Sequence, residues 1–121
     1  MVVDELNALK NTQDACKTIA FADLSTRMIL VTDTASNLPR EALDALCGQA
    51  ALALGTKGKV ALGEQPCQTA LVANKSSVRV FLRAPDEPND VLCCVCTPNV
   101  DVDSFVTSAS ECLNRISNGN S

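Results

Sequence analysis

Apolar residues recur along this chain in two rhythms, one of three to four residues and one of two. Over residues 2–16, Val2, Leu6, Leu9 and Cys16 fall near one face of a helix, with Gln13 interrupting it. From Thr18 the rhythm shortens. TIAFADL and RMILVTDT are two apolar runs separated by Ser25 and Thr26, the pattern of a β-hairpin. SNLPREALDALCGQAALAL, residues 36–54, returns to helical spacing. Asn37 is placed to cap it, and Pro39 falls in the first turn, where a missing N–H costs little. Leu43, Leu46, Cys47, Ala50 and Leu54 form its main apolar face, and Gly55 and Gly58 are stop signals.

Residues 59–67, KVALGEQPC, follow neither rhythm and read as a connection. Three strands follow, the first at 67–74. In the second, Val78, Val80 and Leu82 alternate with Arg79, Phe81 and Arg83, a period of two. NKSS is a short hairpin loop. APDEPND is a longer acidic one, whose prolines cannot continue a sheet. In NVDVDSFVTSASECLNRI, Val102, Phe105, Val106, Ala109, Cys112, Leu113 and Ile116 keep one helical face, and Asp101 and Asp103 sit near its positive N-terminal end. Residues 118–121 belong to a fraying tail. The order is helix, two strands, helix, three strands, helix. Hairpin connections make the sheet antiparallel, so the fold class is α+β, in a single domain over residues 1–121.

The central helix departs from the usual amphipathic plan. Ala42, Ala45, Ala51 and Ala53 make much of its remaining surface small and apolar, where a surface helix normally carries charge. Either it is sunk between a sheet and another element, or its second face meets a partner's copy of itself.

Composition narrows the function classes. The 121 residues are 46% apolar and 20% charged, ordinary for a globular protein. A net charge of −4 with no run of Lys or Arg argues against nucleic-acid binding. The acidic N-terminal stretch is not a signal peptide, and no apolar run approaches the ~20 residues of a membrane span. The expectation is a cytoplasmic protein whose seven cysteines are reduced thiols.

Three of those cysteines crowd into VLCCVC. In a strand, Leu92, Cys94 and Cys96 share one face, and Val91, Cys93 and Val95 the other. A structural zinc site needs four ligands, usually from turns. Cys16, Cys47 and Cys112 instead fall on apolar helix faces, where cysteine acts as a small hydrophobe, so packing is favoured over a metal. The chain has no histidine to activate a nucleophilic thiol, and the Cys93–Cys96 spacing lies inside a strand rather than at a strand-to-helix turn. Asp33, after a strand, reads as a turn residue that satisfies backbone groups. Gly55, Gly58 and Gly63 make no phosphate loop, and PDEPND lacks a calcium-loop pattern. No catalytic residue, cofactor or metal is expected.

The element order, with ADLSTRMILVTDTASNLPREALDAL and the last strand-to-helix passage VLCCVCTPNVDVDSFV, resembles the roadblock family of dynein-associated light chains and their bacterial relatives, over about residues 4–117. The resemblance implies a longin/profilin-like fold: a five-stranded antiparallel sheet with the central helix on one face and both terminal helices on the other. It implies a homodimer in which third strands pair into one continuous sheet and central helices pack together. Ala42, Ala45, Leu46, Gln49 and Ala53 on the helix, with Thr69, Leu71 and Ala73 on the strand, would form that interface. It also implies a non-enzymatic scaffold or regulator of a Ras-like small GTPase, contributing no arginine finger. Two other classes compete. A sensory domain of PAS or GAF type uses similar elements around a small molecule, and a thiol-based metal or redox protein would use the cysteines.

Overall fold

The structure, a computed structural model, describes residues 2–35, 38–54, 69–84, 87 and 89–117. The cap at Asn37, the stops at Gly55 and Gly58, Gly63, the connection 59–67, Cys67 and the tail 118–121 lie outside the described residues. Among the described residues there are three helices and five strands: α1 (Val2–Thr12), β1 (Cys16–Asp23), β2 (Met28–Thr32), α2 (Arg40–Leu54), β3 (Thr69–Ala73), β4 (Val78–Arg83), β5 (Asp90–Cys96) and α3 (Val102–Ser117). The strands form one antiparallel sheet in the order β2-β1-β5-β4-β3, which leaves β2 and β3 at the edges. The α+β architecture expected from the sequence is the one observed.

Strand alternation splits the core into two layers. Ile19, Phe21, Val78, Val80, Leu82, Leu92, Cys94 and Cys96 face α1 and α3. Ala20, Ala22, Ile29, Phe81, Val91 and Cys93 face α2. The α1/α3 layer is bulky: Phe105 is fully buried against it, a contribution of about 1.5–3 kcal/mol for the side chain alone. The α2 layer is half built of small residues. Ala50, Ala51 and Cys47 of the helix and Ala20, Ala22 and Cys93 of the sheet share it with Leu24, Ile29, Leu46, Leu54, Val91 and one aromatic, Phe81.

α1 is shorter than the apolar spacing implies. It ends at Thr12, because Cys16 belongs to β1, where it pairs with Cys96 across the sheet. α2 opens on Pro39, whose carbonyl accepts the N–H groups of Ala42 and Leu43 at 3.0 and 3.1 Å. α3 has its own cap: Asp101 accepts the Ser104 N–H at 3.2 Å. The β1–β2 turn is held by Asp23, whose Oδ1 accepts the Ser25 N–H and hydroxyl at 3.0 and 2.7 Å, and Arg27 adopts a left-handed φ of 56° to close it. α1 and α3 run antiparallel on their face. Gln13 Nε2 donates to Ser108 Oγ at 3.3 Å at one end, and Arg115 Nε to Glu5 Oε1 at 2.9 Å at the other.

Candidate interaction surface

β3 is an edge strand whose backbone polarity can be read from its hairpin. Asn74 donates its N–H to the Ser77 carbonyl at 2.9 Å, which makes these two residues a hydrogen-bonded pair. Alternation along the ladder then turns the backbone groups of Ala70 and Val72 toward β4, and those of Thr69, Leu71 and Ala73 outward. The side chains sort the same way. Ala70 and Val72 pack under α2, whereas Thr69, Leu71 and Ala73 are exposed on the opposite face, Leu71 by 49%. An open strand edge beside exposed apolar side chains is a template for pairing with another chain.

α2 lies over β2, β3, β4 and β5. Its inner face carries Leu46, Cys47, Ala50, Ala51 and Leu54, all buried. Its outer face carries Ala45 and Leu52, about two helical turns apart. Leu52 is 81% exposed, the highest value among the large apolar residues described. Between them sits Gly48, where an added Cβ would meet nothing within 4 Å. This stripe has no charge of its own beyond the helix's first turns, where Arg40 and Asp44 pair at 3.4 Å.

The residues assigned to an interface from the sequence therefore divide. Ala45 is exposed on the outer face, and Thr69, Leu71 and Ala73 lie on the open edge. Ala42 is half-buried at the helix flank. Gln49 is half-buried and occupied, its Oε1 accepting Arg79 Nη1 at 2.7 Å. Ala53 is half-buried and packs on the α2 layer. Leu46 is a core residue of this chain, 2% exposed, so its side chain is spent on the fold itself. Gly48 and Leu52 were not assigned, although Leu52 stands seven positions after Ala45 and shares its face.

The other candidates resolve into structure. Asp33 is buried: Oδ1 accepts the Ile19 N–H at 3.0 Å, and Oδ2 pairs with Lys10 Nζ at 2.9 Å. All six cysteines among the described residues are buried free thiols. Burial pushes the Cys93 and Cys94 thiols well above their ordinary value, and that of Cys112 to about 11. Among the described residues no three Cys, Asp or Glu side chains are grouped to hold a metal ion, and no helix is long and apolar enough to cross a membrane. A polar cleft of ≈ 530 Å³ lies between α1, Lys17 and Thr34, with Cys16 in its wall.

No protein-family model and no curated protein matches the sequence. Solved structures do match the fold. A roadblock/LC7 domain from Streptomyces avermitilis superposes with a TM-score of 0.74 at 10% identity, covering 93% of this chain and 91% of that one. MglB from Myxococcus xanthus gives 0.72 at 15% identity, covering 98% and 95%. The gliding protein MglB from Thermus thermophilus gives 0.67 at 20% identity, covering 95% and 87%. With the helices on their two faces and the strand order in place, the chain has the roadblock fold.

Proposed function

We propose that this chain is a non-enzymatic homodimeric module that scaffolds or regulates a Ras-like small GTPase in the cytoplasm. The observation that carries the dimer is the joint exposure of the β3 edge and of Ala45 and Leu52 on the outer α2 stripe, with open space over Gly48 between them. A two-fold axis at Leu71 would pair Thr69 with the partner's Ala73, using every outward backbone group of the strand. Gly48 and Ala45 let two α2 backbones approach closely, and Leu52 would be removed from water, supplying roughly 1.5–3 kcal/mol per side chain. The GTPase assignment rests on the roadblock fold and on the likeness to MglB chains.

The test is the solution mass by light scattering in reducing buffer. A dimer in the wild type that becomes a monomer in Leu52→Glu, with unchanged circular dichroism, supports the reading. A monomeric wild type at micromolar concentration sinks the homodimer. For the partner, co-purification of a small GTPase with the wild type but not with Leu52→Glu is the expected result.

A further inference from the structure

Two thiols meet where β1 begins and β5 ends. Cys16 pairs with Cys96 in the antiparallel ladder, and just outside them Thr97 donates its N–H to the Ala15 carbonyl at 2.8 Å. A bond in that place flanks a non-hydrogen-bonded pair, in which Cα atoms stand about 4.5 Å apart and side chains approach most closely. Disulfides span Cα separations of roughly 4.4–6.8 Å, a range that includes the spacing usual for such a pair; the register shifts only beyond it, between Cys16 and Thr18. Both side chains sit in the α1/α3 layer, 2% and 1% exposed. The interaction of the two sulfurs pushes the Cys16 thiol well above its ordinary value and that of Cys96 below it. Cys16 Sγ donates to the Thr18 carbonyl at 3.5 Å.

The other buried thiols lack this arrangement. Cys94 pairs with Ile19 and Cys93 with Ala20 across the same ladder, so neither faces a sulfur there. Access also singles out one member of the pair. Cys16 lines the ≈ 530 Å³ cleft, between Lys10 and Lys17, whereas Cys93 and Cys94 are enclosed on both sides of the sheet.

We propose that Cys16 and Cys96 are a dithiol–disulfide couple, a redox modification site whose reagent is a small hydroperoxide entering by the cleft. One thiolate of the pair attacks one oxygen of hydrogen peroxide; the O–O bond breaks, hydroxide leaves, and it takes up the proton that thiol released. That cysteine is then a sulfenic acid. The second sulfur attacks it, the S–O bond breaks, and the departing hydroxide leaves as water with the second thiol's proton. Two thiols lose two electrons and two protons to one peroxide, giving one disulfide and two waters. A dithiol reductant reverses the step by exchange. The bond ties the first residue of β1 to the last of β5, fixing the end of the sheet from which α1 and α3 depart.

The experiment uses the full wild-type chain, reduced, desalted and exposed to hydrogen peroxide at a small molar excess. It is then alkylated in denaturant and mapped by mass spectrometry. The expected product has lost two hydrogens, contains a peptide joining Cys16 to Cys96, returns to the free dithiol with dithiothreitol, and melts at a higher temperature. Cys94→Ser should keep the cross-link, and Cys16→Ser should abolish it. Retention of both thiols, a bridge joining any other pair, or oxidation confined to one cysteine in the wild type overturns the proposal. Because the wild-type map decides it, misfolding of a variant does not blur the result.

Discussion

Asp33 follows the last residue of β2 and turns its side chain back into the protein. There Oδ1 receives the Ile19 N–H that a strand carbonyl would otherwise take, while the Asp33 N–H donates to the Ile19 carbonyl at 3.1 Å. The carboxylate thus extends the β1–β2 ladder and neutralises Lys10. Asp33→Ala would strand a backbone donor and an ammonium beside a fully buried position, and should cost about 3 kcal/mol in urea denaturation. Leu46 and Leu52 make a second contrast. Leu46→Glu puts a carboxylate into the α2 layer and should lower monomer stability by about 3 kcal/mol or more. Leu52→Glu, on the outer face, should stay within about 0.5 kcal/mol of wild type for the folded monomer. Thermal melts at low concentration separate the two. The sequence shows that α2 has two apolar faces but not which residues share each. Leu46 and Ala45 are neighbours in the chain, and only the sheet beneath the helix decides which of them it claims.

β5 illustrates how an element's sequence can be legible when its partners are not. Alternation in VLCCVC assigns Cys94 and Cys96 to one face and Cys93 to the other, as observed, because a strand buried on both sides offers two apolar faces. The ladder partner of Cys96 is distant in sequence, so local periodicity credits Cys16 to α1 rather than to β1. Burial of these thiols has a measurable consequence. Cys93 and Cys94 stay protonated in the fold above their ordinary value of 9.0, whereas an unfolded chain ionises there. The folded state then binds more protons, so stability is intact below about pH 9 and falls as pH rises beyond it, by up to about 1.4 kcal/mol per pH unit for each thiol. Urea titrations at successive pH values should show the fall, and Cys93→Ala should flatten it. A pH-independent midpoint would contradict the enclosed placement.

For the whole molecule, the sheet has two ends of different character, and assembly is expected at the β3 end. Leu71→Pro removes an outward N–H that no other described residue accepts and is tolerable in an edge strand. It should leave far-ultraviolet circular dichroism unchanged and halve the mass seen by light scattering. A dimer that survives would place the contact elsewhere. The antiparallel packing of α1 on α3 bears on a different property, the response to force. Glu5 and Arg115 lie side by side, so tension applied at Val2 and Ser117 peels these helices apart from a common end. It next reaches Cys16 and Cys96, adjacent in the central β1–β5 ladder, and loads that ladder one pair at a time instead of shearing it all at once. A chain built this way is mechanically soft along its own length, and a covalent link between those two residues would shield everything between them from the pull.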